Sequence, residues 1–201
     1  MRKRMAAELL HTDAEGCGHT VTDGLETARL RLRVFHPDDL DALSGITRDP
    51  EVMQHIGTGK PLTRDETDFN MTRIIEAFQR RGFGRWAVVR KDNGALTGYC
   101  GLTFGHEEIG VELAYLFARS EWGRGLATEA ASACLRYGFE RLGLDSIAAL
   151  TRHENTRSRR VMERLNMKYM RAGHYYGYDC VCYALTRDEW RPDSSMYRVI
   201  R

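Results

Sequence analysis

The stretch from Gly110 to Thr151 constrains this chain more than any other. "GVELAYLF" (Gly110 to Phe117) alternates like a strand yet is apolar on nearly every position, and "SIAALT" (Ser146 to Thr151) is a second short apolar run. Between them, Leu126 to Leu142 carries apolar residues at helical spacing: Ala127, Ala130, Ala131, Cys134, Leu135 and Leu142 on one face, with Glu129, Ser132, Arg136 and Glu140 on the other. Gly143 follows, where a helix ends in the left-handed conformation. Strand, helix and strand in that order predict a crossover joining two parallel strands. The fold class is then α/β, with a sheet that is parallel at least there.

The flanks predict antiparallel strands and more helices. Leu30, Leu32 and Val34 alternate with Arg29, Arg31 and Arg33, so Leu25 to Phe35 reads as one half-buried strand. His36-Pro37-Asp38-Asp39 opens a short helix, and Arg64 to Arg81 forms a longer one with Phe69, Ile74, Ile75 and Phe78 as its apolar stripe. Arg85 to Phe104 reads as a hairpin turning at Asp92-Asn93-Gly94. Asn155 can cap a helix reaching Leu165, after which Asn166 tolerates the cap conformation, and two strands bracket "GHYYGYD". No repeat or linker interrupts this run. One domain over residues 25–191 is expected, between a flexible polar tail (1–24) and a C-terminal tail (192–201).

Charge and cysteine usage narrow the function classes. A net charge of +2 gives no field that points to nucleic acid or a membrane. No apolar run nears the ~18 residues of a membrane span. Met1-Arg2-Lys3-Arg4 begins like a signal peptide, but Glu8, His11, Asp13 and Glu15 break the apolar region that would have to follow. The five cysteines (Cys17, Cys100, Cys134, Cys180, Cys182) are odd in number and contain no C-x-x-C pair, so buried thiols in a reducing, cytoplasmic setting are expected and no metal site. His11, Cys17 and His19 belong to the tail.

The most informative local feature is "EWGRGLATEA" (Glu121 to Ala130), a glycine-rich turn directly before the best helix. Unpaired N–H groups and the helix dipole can make such a place an anion seat, a packing turn without a ligand being the other reading. The dinucleotide pattern G-x-G-x-x-G fails, because Thr128 stands where its third glycine belongs, and no Gly-Lys-Ser/Thr completes a phosphate-binding P-loop. In sequence with "GVELAYLF" and "NTRSRRVMERLNM", this turn resembles the GNAT superfamily of N-acetyltransferases, and within it the RimJ/RimL-type group that acetylates N-termini of ribosomal proteins and other amines. "LETARLRLRVFHPDDL" and "YALTRDEW" resemble that group too, so the likeness spans about Leu25 to Trp190.

That resemblance implies a mixed, mostly antiparallel sheet with a splayed parallel pair, about four flanking helices, and acetyl-CoA as co-substrate. The family's Q/R-x-x-G-x-G/A turn is represented by Trp122, Gly125 and Ala127, with Trp122 departing from the general pattern but usual in the RimJ/RimL group. Asn166 and Met167 also depart, standing where the family usually has glycine and an aromatic residue. Backbone N–H groups over Arg124, Gly125, Leu126, Ala127 and Thr128 are expected to hold the pyrophosphate. Leu116, Phe117 and Ala118 are expected to hydrogen-bond the pantetheine arm, with an N–H near Phe117 facing the developing oxyanion. Asn155 and Ser158 match the family's N-x-x-S, where Asn155 contacts the arm and Ser158 donates to the departing sulfur. N-capping alone is the other reading of that pair.

Glu112 can be argued from the strand itself. Val111, Leu113, Tyr115 and Phe117 share one face, and Glu112 shares the other with Ala114 and Leu116. A carboxylate on an otherwise apolar face is either ion-paired for structure or kept basic by burial. The resemblance makes it the proposed general base. Transfer to a primary amine follows, an N-terminus being favoured over a small amine; the alternative is a non-catalytic acyl-CoA sensor. A monomer or homodimer is expected. Arg157, Arg159 and Arg160 read as a solvated helix face, His153-Glu154 as having no nucleophile beside it, and Tyr175, Tyr176 and Tyr178 as either strand-end packing or acceptor contacts.

Overall fold

The computed structural model describes residues 24–200. The expectations for the flexible N-terminal tail, with His11, Cys17 and His19, lie outside the described residues. Nine strands form one sheet in the order β7-β8-β6-β5-β4-β3-β2-β1-β9. In chain order these are β1 Gly24–Glu26, β2 Leu30–Arg33, β3 Arg85–Arg90, β4 Leu96–Phe104, β5 Val111–Phe117, β6 Ser146–Arg152, β7 Lys168–Tyr175, β8 Tyr178–Thr186 and β9 Arg198–Ile200. The helices are α1 Leu40–Thr47, α2 Pro50–Met53, α3 Arg64–Arg81, α4 Leu126–Glu140 and α5 Thr156–Arg164. Every neighbouring pair is antiparallel except β5 and β6, which the α4 crossover makes parallel. Among the described residues no helix is long and apolar enough to cross a membrane.

Strand alternation divides the core between the two faces of the sheet. Trp86, Val88, Cys100, Leu102 and Leu113 meet Ala130, Cys134 and Tyr137 of α4 in the main cluster. Ala87 and Tyr99, offset by one residue, pack instead with Phe35 after β2, Leu43 of α1, and Met71 and Ile74 of α3. Trp86 is fully buried, and its ring meets Phe78 and Tyr137 edge-on at 5.6 and 5.2 Å. The middle of the sheet is therefore covered on both sides.

Three expectations need correction. Leu25 to Phe35 is not one strand, because Thr27 closes a tight turn with its N–H and hydroxyl on the Leu30 carbonyl, splitting the segment into β1 and β2. The alternation of leucine and arginine survives the break, so pattern alone could not reveal it. Second, the C-terminal segment is no tail: Arg198–Ile200 pairs with β1, and Arg198 joins Arg31 in ion pairs to the buried Glu26. Gly24 is paired as well, on Arg33 and Ile200. Third, Phe69 of α3 is 63 % exposed, and the buried stripe runs through Thr67, Met71, Ile74 and Phe78.

Candidate active site

β5 and β6 share a single paired position, Glu112 with Ala148, and then separate. The gap widens into a cavity of about 950 Å³ bounded by β5, the end of β6, and the first turns of α4 and α5. It thus runs from a glycine turn at one end to a glutamate at the other.

At the turn end, Gly123 and Gly125 hold φ of 74° and 77°, a conformation that costs glycine little and other residues strain. Glu129 N–H makes the first helical bond, to the Gly125 carbonyl at 3.0 Å. The N–H groups of Leu126, Ala127 and Thr128 therefore have no partner within α4 and stand at its positive end. Behind them, Arg29 donates to the Arg124 carbonyl (2.9 Å) and pairs with Glu129 at 2.6 Å. Burial alone would raise the Glu129 carboxyl, but hydrogen bonds from Thr27 and Arg29 outweigh it and hold the group below its usual range. Arg124 points its guanidinium at Glu121 (3.1 Å) and does not line the cavity.

The ladder between β4 and β5 sorts the backbone along the wall. Ala118 N–H donates to the Thr97 carbonyl at 2.8 Å. Since backbone polar groups alternate sides along a strand, Glu112, Ala114, Leu116 and Ala118 direct theirs to β4, while Leu113, Tyr115 and Phe117 direct theirs to the β6 side. Leu116 lines the cavity with its side chain only, and Ala118 does not line it. The Phe117 carbonyl accepts from the Trp122 indole N–H (2.9 Å), which leaves its N–H as the open group at the mouth of the gap. Trp122 thereby ties the turn to β5, and Arg157 stacks over its ring at 4.7 Å. Arg157 and Arg160 face the cavity, whereas Arg159 bonds the Tyr183 hydroxyl, so the three are not one solvated face.

At the other end, Glu112 is half-buried against Gly105, where a Cβ would lie 2.9 Å from the carboxylate. Burial raises the Glu112 pKa above its usual value, with the Tyr176 hydrogen bond and the Arg85 charge working against that rise. No salt bridge engages Glu112 among the described residues. Tyr176 donates to Oε2 at 3.0 Å. Asn155 caps α5 by accepting from Ser158 N–H (3.1 Å) and also lines the cavity, so capping and ligand contact are compatible. Ser158 Oγ lies 2.8 Å from the Tyr115 hydroxyl, whose own pKa is raised by burial. Tyr115 was missed in the sequence: its face along β5 was clear, but nothing local indicated that α5 would bring Ser158 to it. Glu154 lines the cavity, and its charge reaches the Cys180 thiol there.

The acetyltransferase (GNAT) domain profile matches residues 29–168. The chain belongs to the GNAT acetyltransferase family. It is 32 % identical over 146 residues to the uncharacterized N-acetyltransferase p20 of Bacillus licheniformis, covering 72 % of this chain and 82 % of that one. It is 30 % identical over 186 residues to the FsC-acetyl coenzyme A-N(2)-transacetylase of Aspergillus fumigatus, covering 83 % and 77 %. A GNAT-family acetyltransferase from Bacillus anthracis superposes with a TM-score of 0.73 at 27 % identity, covering 83 % of this chain and 99 % of that structure. The family membership makes this GNAT protein an acetyl-CoA-dependent acyltransferase. Its cleft fits that co-substrate: a row of open N–H groups at one end, a free Phe117 N–H midway and a half-buried carboxylate beyond.

Proposed function

We propose that this GNAT enzyme acetylates a primary amine by direct attack on the thioester, with Glu112 as general base and a protein N-terminus as the preferred acceptor. Acetyl-CoA supplies the activated acetyl group. The N–H groups of Gly125 to Thr128 hold the pyrophosphate, and the Phe117 N–H donates to the carbonyl oxygen as negative charge develops there. Glu112 takes the proton the amine must lose, and burial makes its carboxylate a better acceptor than an ordinary glutamate. Ser158, held against Tyr115, donates toward the leaving sulfur, which needs only modest help because a thiol's pKa lies near ~8.5.

The observation that carries this reading is the position of Glu112: a carboxylate without an ion pair, at the last residue where β5 still touches β6. Nitrogen as the acceptor atom is supported by the fungal relative, whose name is that of an N(2)-transacetylase. Preference for N-termini is supported by the likeness of the Glu112, Trp122 and N-x-x-S positions to the RimJ/RimL group. An α-amino group, with pKa near ~8, is also easier to deprotonate than a lysine near ~10.4. Thiol release from acetyl-CoA, measured against N-terminal peptides, lysine peptides and small amines, tests it. Peptide N-termini are expected to give the highest kcat/KM. Release with small amines alone would move the acceptor assignment to them.

A further inference from the structure

The geometry points to Tyr176 as a positioning residue for Glu112, one whose side-chain reach the fold retains at a cost in backbone strain. This inference rests on Glu112 being the proton acceptor. β7 and β8 are joined by Tyr176 and Gly177 alone, since Tyr175 and Tyr178 are paired. Both loop residues have positive φ, 54° and 83°, which is the signature of a type I′ hairpin. That turn calls for Asn, Asp or Gly at its first central position, because a Cβ bearing a bulky group crowds the backbone there. Among the described residues every other positive φ belongs to a glycine or to Asn166. Tyr176 is the exception.

Packing does not account for the choice, because the Tyr176 side chain belongs to a residue 57 % exposed. The ring meets His106 edge-on at 5.8 Å, and the hydroxyl donates to Glu112 Oε2 at 3.0 Å. With Oε2 engaged, the carboxylate is fixed in rotation and Oε1 is left to take the amine proton. The same bond favours the charged, proton-accepting form against the burial that disfavours it. The other titratable groups around Glu112 are Arg85 from β3, His106 from the β4–β5 connection, and Cys180 and Cys182 from β8. None of them is hydrogen-bonded to the carboxylate.

Two substitutions separate this role from simple turn packing. Tyr176→Phe keeps the ring and loses the hydroxyl. It is expected to lower kcat about tenfold and to move the acidic limb of kcat/KM to higher pH, with acetyl-CoA affinity unchanged. Tyr176→Asn supplies the residue the turn prefers. It is expected to raise the melting temperature by about 2–4 °C while lowering kcat at least as far as the phenylalanine variant. A stability gain paired with an activity loss is what a strained positioning residue yields and a packing residue does not. The direct readout is the Glu112 carboxyl titration by carbon-13 NMR, which should shift upward in Tyr176→Phe. That shift is independent of turnover, so it still tests Tyr176 if Glu112→Gln proves active and the base assignment falls. An unchanged titration and pH profile in Tyr176→Phe would overturn the inference, as would a lower melting temperature with full activity in Tyr176→Asn.

Discussion

At one end of the cleft the wall is made from consecutive residues, Gly123 to Thr128, and largely from backbone. At the other, Glu112 and Tyr115 arrive on β5, Ser158 on α5 and Tyr176 on the β7–β8 turn, more than 60 residues from the glutamate it touches, and the contacts are made by side chains. The first end depends on local conformation, set by two glycines and a helix start. The second depends on the sheet bringing distant elements together. On the proposed mechanism, binding and chemistry in this cleft are then separable, and substitutions at each end should fail in different ways.

The largest expected effect is at the side-chain end. Glu112→Gln keeps shape and hydrogen bonding but cannot accept a proton, so kcat/KM should fall by about 10²–10⁴-fold with acetyl-CoA affinity near wild type. The wild-type acidic limb should lie above the ordinary carboxylate range, because activity needs the ionised form and burial raises its pKa. In the variant that limb should vanish, and part of the activity should return at high pH where the amine is already neutral. A variant with a wild-type pH profile would remove Glu112 from the chemistry.

Gly125→Val probes the backbone end. It forces a β-branched residue to φ near 77°, and strain of that kind should weaken acetyl-CoA binding about 10–100-fold. Calorimetry reads it, and unchanged affinity would reduce the turn to a packing element.

A smaller effect is expected from Tyr115→Phe. Removing the hydroxyl releases the Ser158 side chain, and kcat should drop about 2–10-fold with the KM for acetyl-CoA unchanged. An unaltered kcat would leave Ser158 with its place near the N-terminus of α5 and no part in thiolate departure.

The smallest concerns Glu129, which braces the backbone end from behind. Its carboxyl is held low in the fold, so the stability it contributes is present above its ordinary pKa of 4.5 and is lost as pH falls through the folded value. Arg29 is half exposed, and screening limits the pair. Denaturation of Glu129→Gln should therefore show a deficit of about 0.5–1 kcal/mol at pH 7 that shrinks toward pH 3.5. A constant deficit across that range would assign the effect to packing rather than charge.

The same contrast explains what was legible beforehand. The α4 helix, its glycine turn and the parallel crossover could be read because each is encoded within a few consecutive residues. Helix α4 stops at Glu140 rather than Leu142, and its apolar stripe broadens to include Tyr137 and Phe139, because α4 lies against the sheet. The break between β1 and β2 was hidden by an alternation that runs through it. The β9 pairing was hidden because three residues carry no pattern.

The sequence by itself determined the fold class, the glycine turn before α4 and the oddity of a glutamate in an apolar strand, since propensity, periodicity and glycine placement act over short spans of chain. Only the tertiary structure decided which backbone groups of β5 face the gap, that Tyr115 supports Ser158, and that Tyr176 reaches Glu112. Those relations depend on strand register and on where a hairpin tip lands, and both are set by packing between elements far apart in the chain.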